Sequence, residues 1–232
     1  MNTVFKRSPW LFLDSGPGSA ALNMAVDEAL LEAMPRLQHP VLRFYGWTEP
    51  AASFGYFQKY SEVERATSLR PLVRRSTGGG IVPHDADWTY SLAIPTCHEW
   101  YSFAAVDSYR RIHEWIQSAF QRLRIDTELA DVRRKGERGE CFIGCEKSDL
   151  LWRGQKIAGA AQRRTRAGLM IQGSVQPPVP SIARAQWQSE MCAVASENGV
   201  DWGRLEWNPD LAARAGELAA QKYSRPEHNR KR

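Results

Sequence analysis

No apolar run in the sequence approaches the roughly 20 residues that a membrane-spanning helix requires, so no membrane partner is expected. Met1 to Pro9 carries Lys6 and Arg7 but no apolar stretch followed by a small-residue cleavage site, so no secretory signal is read there. Cysteine is sparse: Cys97, Cys141, Cys145 and Cys192 are scattered through 232 residues. That is no disulfide framework, and a reducing cytoplasm is the expected compartment. Internal repeats and interdomain linkers are also missing. Residues 1–232 therefore read as one domain, with a basic tail from about residue 224 to 232. Charge of one sign is not in large excess: 31 Lys and Arg face 26 Asp and Glu, a net of +5. The surplus gathers in Arg133-Arg134-Lys135 and Arg225 to Arg232. Such a surface suits acidic partners, either nucleic acid or an acidic carrier protein. No basic–aromatic motif supports nucleic acid.

What is present is a chain of irregularly interleaved helix and strand patterns. Ala20 to Met34 keeps a 3.6-residue apolar period through Leu22, Ala25, Val26, Ala29, Leu30 and Ala33. Asn23, Asp27, Glu28 and Glu32 fall on its other side, and Pro35 is expected to end it. Ser102 to Leu123 is the longest helical pattern, with a stripe of Val106, Tyr109, Ile112, Ile116, Phe120 and Leu123. Two further helices are expected at Ile182 to Ser196 and Leu211 to Tyr223, and a short one at Tyr60 to Ser68. Strands are expected at Trp10 to Asp14, Val41 to Trp47, Ala51 to Tyr56, Leu72 to Arg75, Gly80 to Val82, Trp88 to Pro95 and Ile125 to Leu129. A meander of Ser148 to Arg153, Lys156 to Arg164 and Gly168 to Val175 follows. Hairpin-linked strands predict an α+β fold with a mixed, largely antiparallel sheet flanked by helices.

Two stretches invite chemistry. The first is Arg74-Arg75-Ser76-Thr77-Gly78-Gly79-Gly80-Ile81-Val82-Pro83-His84-Asp85. Three consecutive glycines fit a backbone that needs positive φ or close approach. The neighbouring cations suit an anion or a polar carbonyl, although a surface turn with solvated arginines would give the same pattern. The strict phosphate-loop and dinucleotide spacings are absent. Without a serine elbow, His84-Asp85 reads as part of a pocket wall rather than a catalytic dyad. The second stretch is Lys156-Ile157-Ala158-Gly159-Ala160-Ala161-Gln162, a strand of small residues opened by a lysine. Small side chains leave packing area unused unless a ligand or another backbone approaches. Lys156 then faces a carboxylate, phosphate or thiolate, or else sits at a hairpin rim in water. Cys141 follows a charged loop, Asp131 to Glu140. Beside a lysine it would be a nucleophilic thiolate, and without one an inert thiol. Cys141 and Cys145 are spaced too loosely, with no second pair, to predict zinc.

Taken in order, four pieces resemble the lipoate–protein ligase, lipoyl/octanoyltransferase and biotin–protein ligase superfamily. They are Asn23 to Leu30, Ser53 to Gln58, the arginine–glycine block through Ser91, and Lys156 to Gln162 with Gln172 to Val175. The resemblance implies the catalytic-domain fold of biotin and lipoate ligases. It also implies that Tyr56, Arg74, Arg75, Thr77, Gly78, Gly79, Gly80, His84, Gly159 and Ala160 line an acyl and carrier or nucleotide pocket, with Lys156 on the acyl carbonyl or carboxylate. Within the superfamily, Cys141-Phe142 before Lys156 resembles the cysteine-dependent octanoyltransferases. So does Ala86-Asp87-Trp88-Thr89-Tyr90-Ser91 after His84-Asp85, where ligases typically carry glycine-asparagine. The stretch beyond Val175 is shorter than a ligase accessory domain needs. This branch implies catalysis by Cys141 and Lys156 without a cofactor. The octanoyl donor is then acyl carrier protein, and the acceptor a lysine of a lipoyl domain of a 2-oxoacid dehydrogenase or of glycine cleavage H protein. The alternatives are an ATP- and Mg-dependent lipoate ligase and a non-catalytic acyl-binding homologue.

Overall fold

The computed structural model describes residues 8–132, 144–178 and 181–232. Cys141, with Phe142 and most of the expected loop 131–140, lies outside the described residues.

Strand β1 (Ser8–Gly18) leads into helix α1 (Ala20–Leu37), which Ser19 caps by accepting from the Leu22 amide. Pro35 does not end α1. A proline in the last turn removes only one backbone donor, and the helix closes through the Gln38 N–H on the Met34 carbonyl at 3.0 Å. Strands β2 (Val41–Trp47) and β3 (Ala51–Phe54) precede helix α2 (Tyr60–Ala66) and strands β4 (Leu72–Arg74), β5 (Val82–His84) and β6 (Trp88–Pro95). A helical turn α3 (Glu99–Ser102) breaks before α4 (Ala105–Arg122), so the long pattern is two pieces. The stripe of α4 holds at Ile112, Ile116 and Phe120, but Val106 stands exposed at its first turn. Strands β7 (Glu128–Leu129), β8 (Leu150–Trp152), β9 (Gln155–Arg164) and β10 (Gly168–Val175) complete the meander. Arg153 and Gly154 both take positive φ, 51° and 76°, as a tight hairpin turn demands.

The remainder is α5 (Arg184–Glu197), β11 (Val200–Arg204), α6 (Pro209–Leu218) and α7 (Pro226–Asn229). Between α6 and α7 the helix widens into a π-type turn over Ala219–Tyr223. Strand β11 carries no sequence signal because it is a short, largely exposed edge. The basic tail is ordered on the protein: the Asn229 side chain accepts from the Arg74 amide at 2.8 Å, and the Tyr60 amide donates to the Arg232 carbonyl at 2.9 Å.

The main sheet has eight strands in the order β11-β1-β2-β6-β10-β9-β8-β7. β1 runs parallel to β2 and β11, and the other neighbours are antiparallel. The mixed, largely antiparallel α+β expectation is met. A second sheet, β4-β3-β5, carries α2. Period-two alternation divides the main sheet. Leu42, Phe44, Trp88, Tyr90, Leu92, Ile94, Leu169 and Ile171 pack under α4 and α5. Val41, Tyr45, Ala93 and Met170 pack under α1 and α6. On that second face the alternate positions at one end are polar, Arg43, Thr89, Ser91, Gln172 and Ser174, and all are buried. A buried polar row needs partners, and meeting that need builds the site.

Candidate active site

Helix α1 supplies the first partners. Asn23 and Asp27, on the side opposite the apolar stripe, are buried against the polar row. Asp27 accepts from Arg43 Nη1 at 2.7 Å, Ser91 Oγ at 2.6 Å and Gln172 Nε2 at 2.6 Å. Arg43 reaches Asn23 Oδ1 at 2.9 Å, and Thr77 donates to Gln172 Oε1 at 2.7 Å. Glu28 and Glu32 face outward to Lys222 and Arg214. The network ties α1, β2, β6 and β10 to the start of the glycine segment.

Above it opens a cleft whose empty space, counted out to the open solvent, is about 490 Å³. Arg75, Gly79 and His84 line one side, and Lys156, Gly159 and Ala160 the other. The two stretches singled out in the sequence therefore face each other across one cavity. Thr77 stands in its supporting wall. Gly79 takes φ 88°, and its carbonyl lies 1.9 Å from where a Cβ on Gly55 would project. The run thus uses both positive φ and close approach. Both arginines are buried. Arg75 holds the turn through the Gly78 and Gly80 carbonyls, each at 2.9 Å. Arg74 points away from the cleft, to the carbonyls of Tyr56, Gln58 and Asn229 at 2.8, 2.7 and 2.9 Å. Tyr56 is outside the cleft lining and lies under Lys231, 3.8 Å from its ring centroid. The hydrogen bond and charge of Lys231 pull its phenol below the ordinary tyrosine range.

The partners of His84 were not legible in the sequence. Its Nδ1 meets Asp87 at 2.9 Å, its Nε2 meets Ser53 Oγ at 2.6 Å, and its ring stacks on Trp47 at 3.8 Å. Arg75 Nη1 donates to the same Ser53 oxygen at 2.8 Å. Ser53 Oγ is thus shared between the Arg75 guanidinium and His84 Nε2, while the Asp87 carboxylate holds the other side of the ring. Asp85, the neighbour in sequence, is exposed.

Lys156 also has a partner that no motif announces. Its Nζ lies 2.7 Å from Asp149, whose side chain is fully buried. Asp149 accepts from the Glu146 amide at 2.7 Å and from the Tyr109 hydroxyl. Tyr109 sits in the α4 stripe and reads as core; only its hydroxyl reveals the second use. Beside it, His113 donates through Nδ1 to the Tyr109 carbonyl at 2.9 Å, and its Nε2 is buried without a partner. Burial pushes the His113 imidazole down to about 4. The unfolded chain then binds more protons than the native one between pH 6.5 and about 4, so stability falls as pH falls through that window. Urea melts at pH 7 and pH 4.5 should show His113 contributing a loss on the order of 2 kcal/mol, and His113→Asn should flatten the slope. An unchanged slope would remove His113 as its source.

Cys145 is buried with its thiol toward the Val132 carbonyl, and burial raises the Cys192 thiol to about 11. Cys97 is exposed. Among the described residues no group of three His, Cys, Asp or Glu is placed to hold a metal, and no helix is long and apolar enough to cross a membrane.

The family model of the lipoyl protein ligase A/B catalytic domain matches residues 19–176, the span that builds the cleft. The chain belongs to that family. It is 38% identical over 175 residues to octanoyltransferase LipM of Oceanobacillus iheyensis, covering 73% of this chain and 64% of the relative. With octanoyltransferase LipM of Bacillus subtilis it shares 34% over 187 residues, covering 73% and 66%. The chain thus spans about two thirds of the length of these curated relatives. Lipoate-protein ligase A bound with ATP superposes with a TM-score of 0.76 at 21% identity, over 97% of this chain and 98% of that one. The bi-partite lipoate protein ligase of Thermoplasma acidophilum gives 0.73 at 20%, over 97% and 96%. These likenesses establish the lipoate-ligase fold.

Proposed function

We propose that this lipoyl ligase A/B family member is an octanoyltransferase that works through a covalent enzyme intermediate. The observation that carries the reading is Lys156, buried in the family's cleft beside the small residues Gly159 and Ala160 and opposite the Gly79 turn. Relatives bearing the octanoyltransferase name support the reaction class. On this reading Cys141 is the nucleophile. Its thiolate adds to the carbonyl of an octanoyl thioester on acyl carrier protein, the C–S bond to the carrier breaks, and the carrier thiolate leaves with a proton. The ε-amine of a lysine on a lipoyl domain, or on the glycine cleavage H protein, then attacks the new thioester. An amide forms, the amine gives up its proton, and the Cys141 thiol returns, giving ping-pong order. Lys156 supplies the positive charge that favours the thiolate and polarises the carbonyl. Backbone N–H groups of Gly78, Gly79, Gly80 and Gly159 are the candidate oxyanion donors. On this reading the reaction needs no ATP.

Incubation with octanoyl acyl carrier protein, followed by mass spectrometry, should show one octanoyl group on Cys141 and its transfer to a lipoyl domain. Cys141→Ala should abolish both. Turnover that needs ATP and Mg with free acid would instead identify a ligase, and tight acyl binding without turnover a non-catalytic homologue.

A further inference from the structure

The described residues give Lys156 a cradle that the family assignment and the relatives' names leave unexplained. Asp149 is buried completely, and the Lys156 side chain is only 8% exposed. The carboxylate receives the Lys156 ammonium and the Glu146 amide on Oδ2, and the Tyr109 hydroxyl on Oδ1. Tyr109 comes from α4, on the far side of the β8–β9 hairpin, so the carboxylate is held from two elements. Gly159 completes the cradle: a Cβ there would stand 2.8 Å from Lys156 Cε and 2.9 Å from Nζ. The lysine lies flat across that glycine, and its direction is set by Asp149 at one end and β9 at the other.

We infer that Asp149, locked by Tyr109, is the positioning residue that keeps Lys156 a directed ammonium ion and prevents it from acting as a neutral amine base. The inference rests on the octanoyltransferase reading for its catalytic meaning, but the cradle itself is testable without turnover. A buried ammonium persists only where an opposite charge offsets its desolvation. Among the described residues, Tyr109 and His113 face the pair from α4 and Tyr90 from β6, and the Glu146 backbone closes the fourth side. Burial holds both phenols protonated and His113 neutral. Among these neighbours Asp149 is therefore the counter-charge. Asp149→Asn keeps the shape and removes the charge, Asp149→Glu keeps the charge and moves it, and Tyr109→Phe removes the locking hydroxyl, which also meets the Ala160 backbone.

The first test is competitive acetylation with acetic anhydride from pH 7 to 10, reading Lys156 against the other lysines by mass spectrometry. Lys156 should be at least about 10-fold more reactive at pH 8 in Asp149→Asn than in the native protein, because the carboxylate that holds the ammonium in place is gone. Tyr109→Phe should shift reactivity in the same direction by a smaller factor, and Asp149→Glu should stay near native. The second test is the pH profile of octanoyl transfer. Asp149→Asn should lower kcat/KM and move its alkaline limb to lower pH, and Asp149→Glu should lower the rate without moving the limb. Equal Lys156 reactivity in native, Asn and Phe proteins overturns the inference, as does a rate loss with an unmoved limb in Asp149→Asn. If Asp149→Asn does not fold, Tyr109→Phe decides. A native protein that takes no octanoyl group onto Cys141 fails the transferase reading, whereas the acetylation result still decides the cradle.

Discussion

Asp27→Ala should lower the unfolding free energy by about 3–5 kcal/mol, the usual cost of stranding one member of a buried ion pair. Arg43, whose side chain is 1% exposed, would lose the carboxylate at 2.7 Å. Ser91 and Gln172 would lose their acceptor, and the Tyr45 hydroxyl, 3.2 Å from Asp27, would lose its own. Each orphaned buried group adds roughly 1–3 kcal/mol, partly offset by relaxation. Arg43→Met should be similarly harmful, since it leaves the buried Asp27 side chain of α1 without its ion-pair partner. Asp27→Asn should cost less, because the amide oxygen still accepts. Urea denaturation at pH 7 measures the series, and a loss below about 1 kcal/mol for Asp27→Ala would mean that the pair is not buried as described. The network also supports Thr77 through Gln172, so a folded Asp27 variant should bind the proposed acyl substrate more weakly.

Gly55→Ala should be the second large effect, and it should fall on the cleft. The added methyl would stand 1.9 Å from the Gly79 carbonyl oxygen and 2.9 Å from the Gly78 carbonyl carbon. Both are backbone atoms, so no side-chain rotation relieves the overlap. The turn must move away from β3, and Arg75, which is bonded to its carbonyls, must follow. We expect about 3 kcal/mol of lost stability, at the upper end of ordinary overpacking, with at least a tenfold drop in kcat/KM for the proposed octanoyl transfer. Gly216→Ala is the control. That glycine lies in α6 with no atom within 4 Å of an added Cβ, and the same methyl there should stabilise by about 0.4–1 kcal/mol. Thermal melts and steady-state kinetics on the two variants separate a steric effect from a general cost of losing glycine. Comparable behaviour in both would refute the close-approach account.

The sequence by itself determined the strand and helix pattern, the α+β class and the two halves of the cleft. Those features depend on local periods and on residue types with few uses. Three glycines beside arginines, and a lysine opening a strand of small residues, signal close approach wherever they fall. The family was legible for a related reason: four motifs in fixed order are hard to produce by chance packing. Local signals also misled in identifiable places. Pro35 looks like a helix end, but one missing donor in a last turn costs little. Val106 continues an apolar stripe, but at the first turn of α4 it projects past the core. Strand β11 is an exposed edge whose partner β1 lies almost 200 residues away in sequence.

Only the tertiary structure decided which polar groups meet. Asp27 and Asn23 occupy the polar side of an amphipathic helix, and nothing local distinguishes a solvated side from one laid on a buried polar row. Arg74 and Arg75 are adjacent in sequence, yet one clamps the carboxy-terminal segment and the other the glycine turn. His84 is followed by Asp85 but pairs with Asp87 and Ser53. Lys156 finds Asp149 across a hairpin and Tyr109 across the sheet–helix interface. Hydrogen bonds and ion pairs depend on ångström-scale placement of groups distant in sequence. Apolar periodicity needs only the right side of an element, so it survives in the sequence while the pairings appear only once the chain is packed.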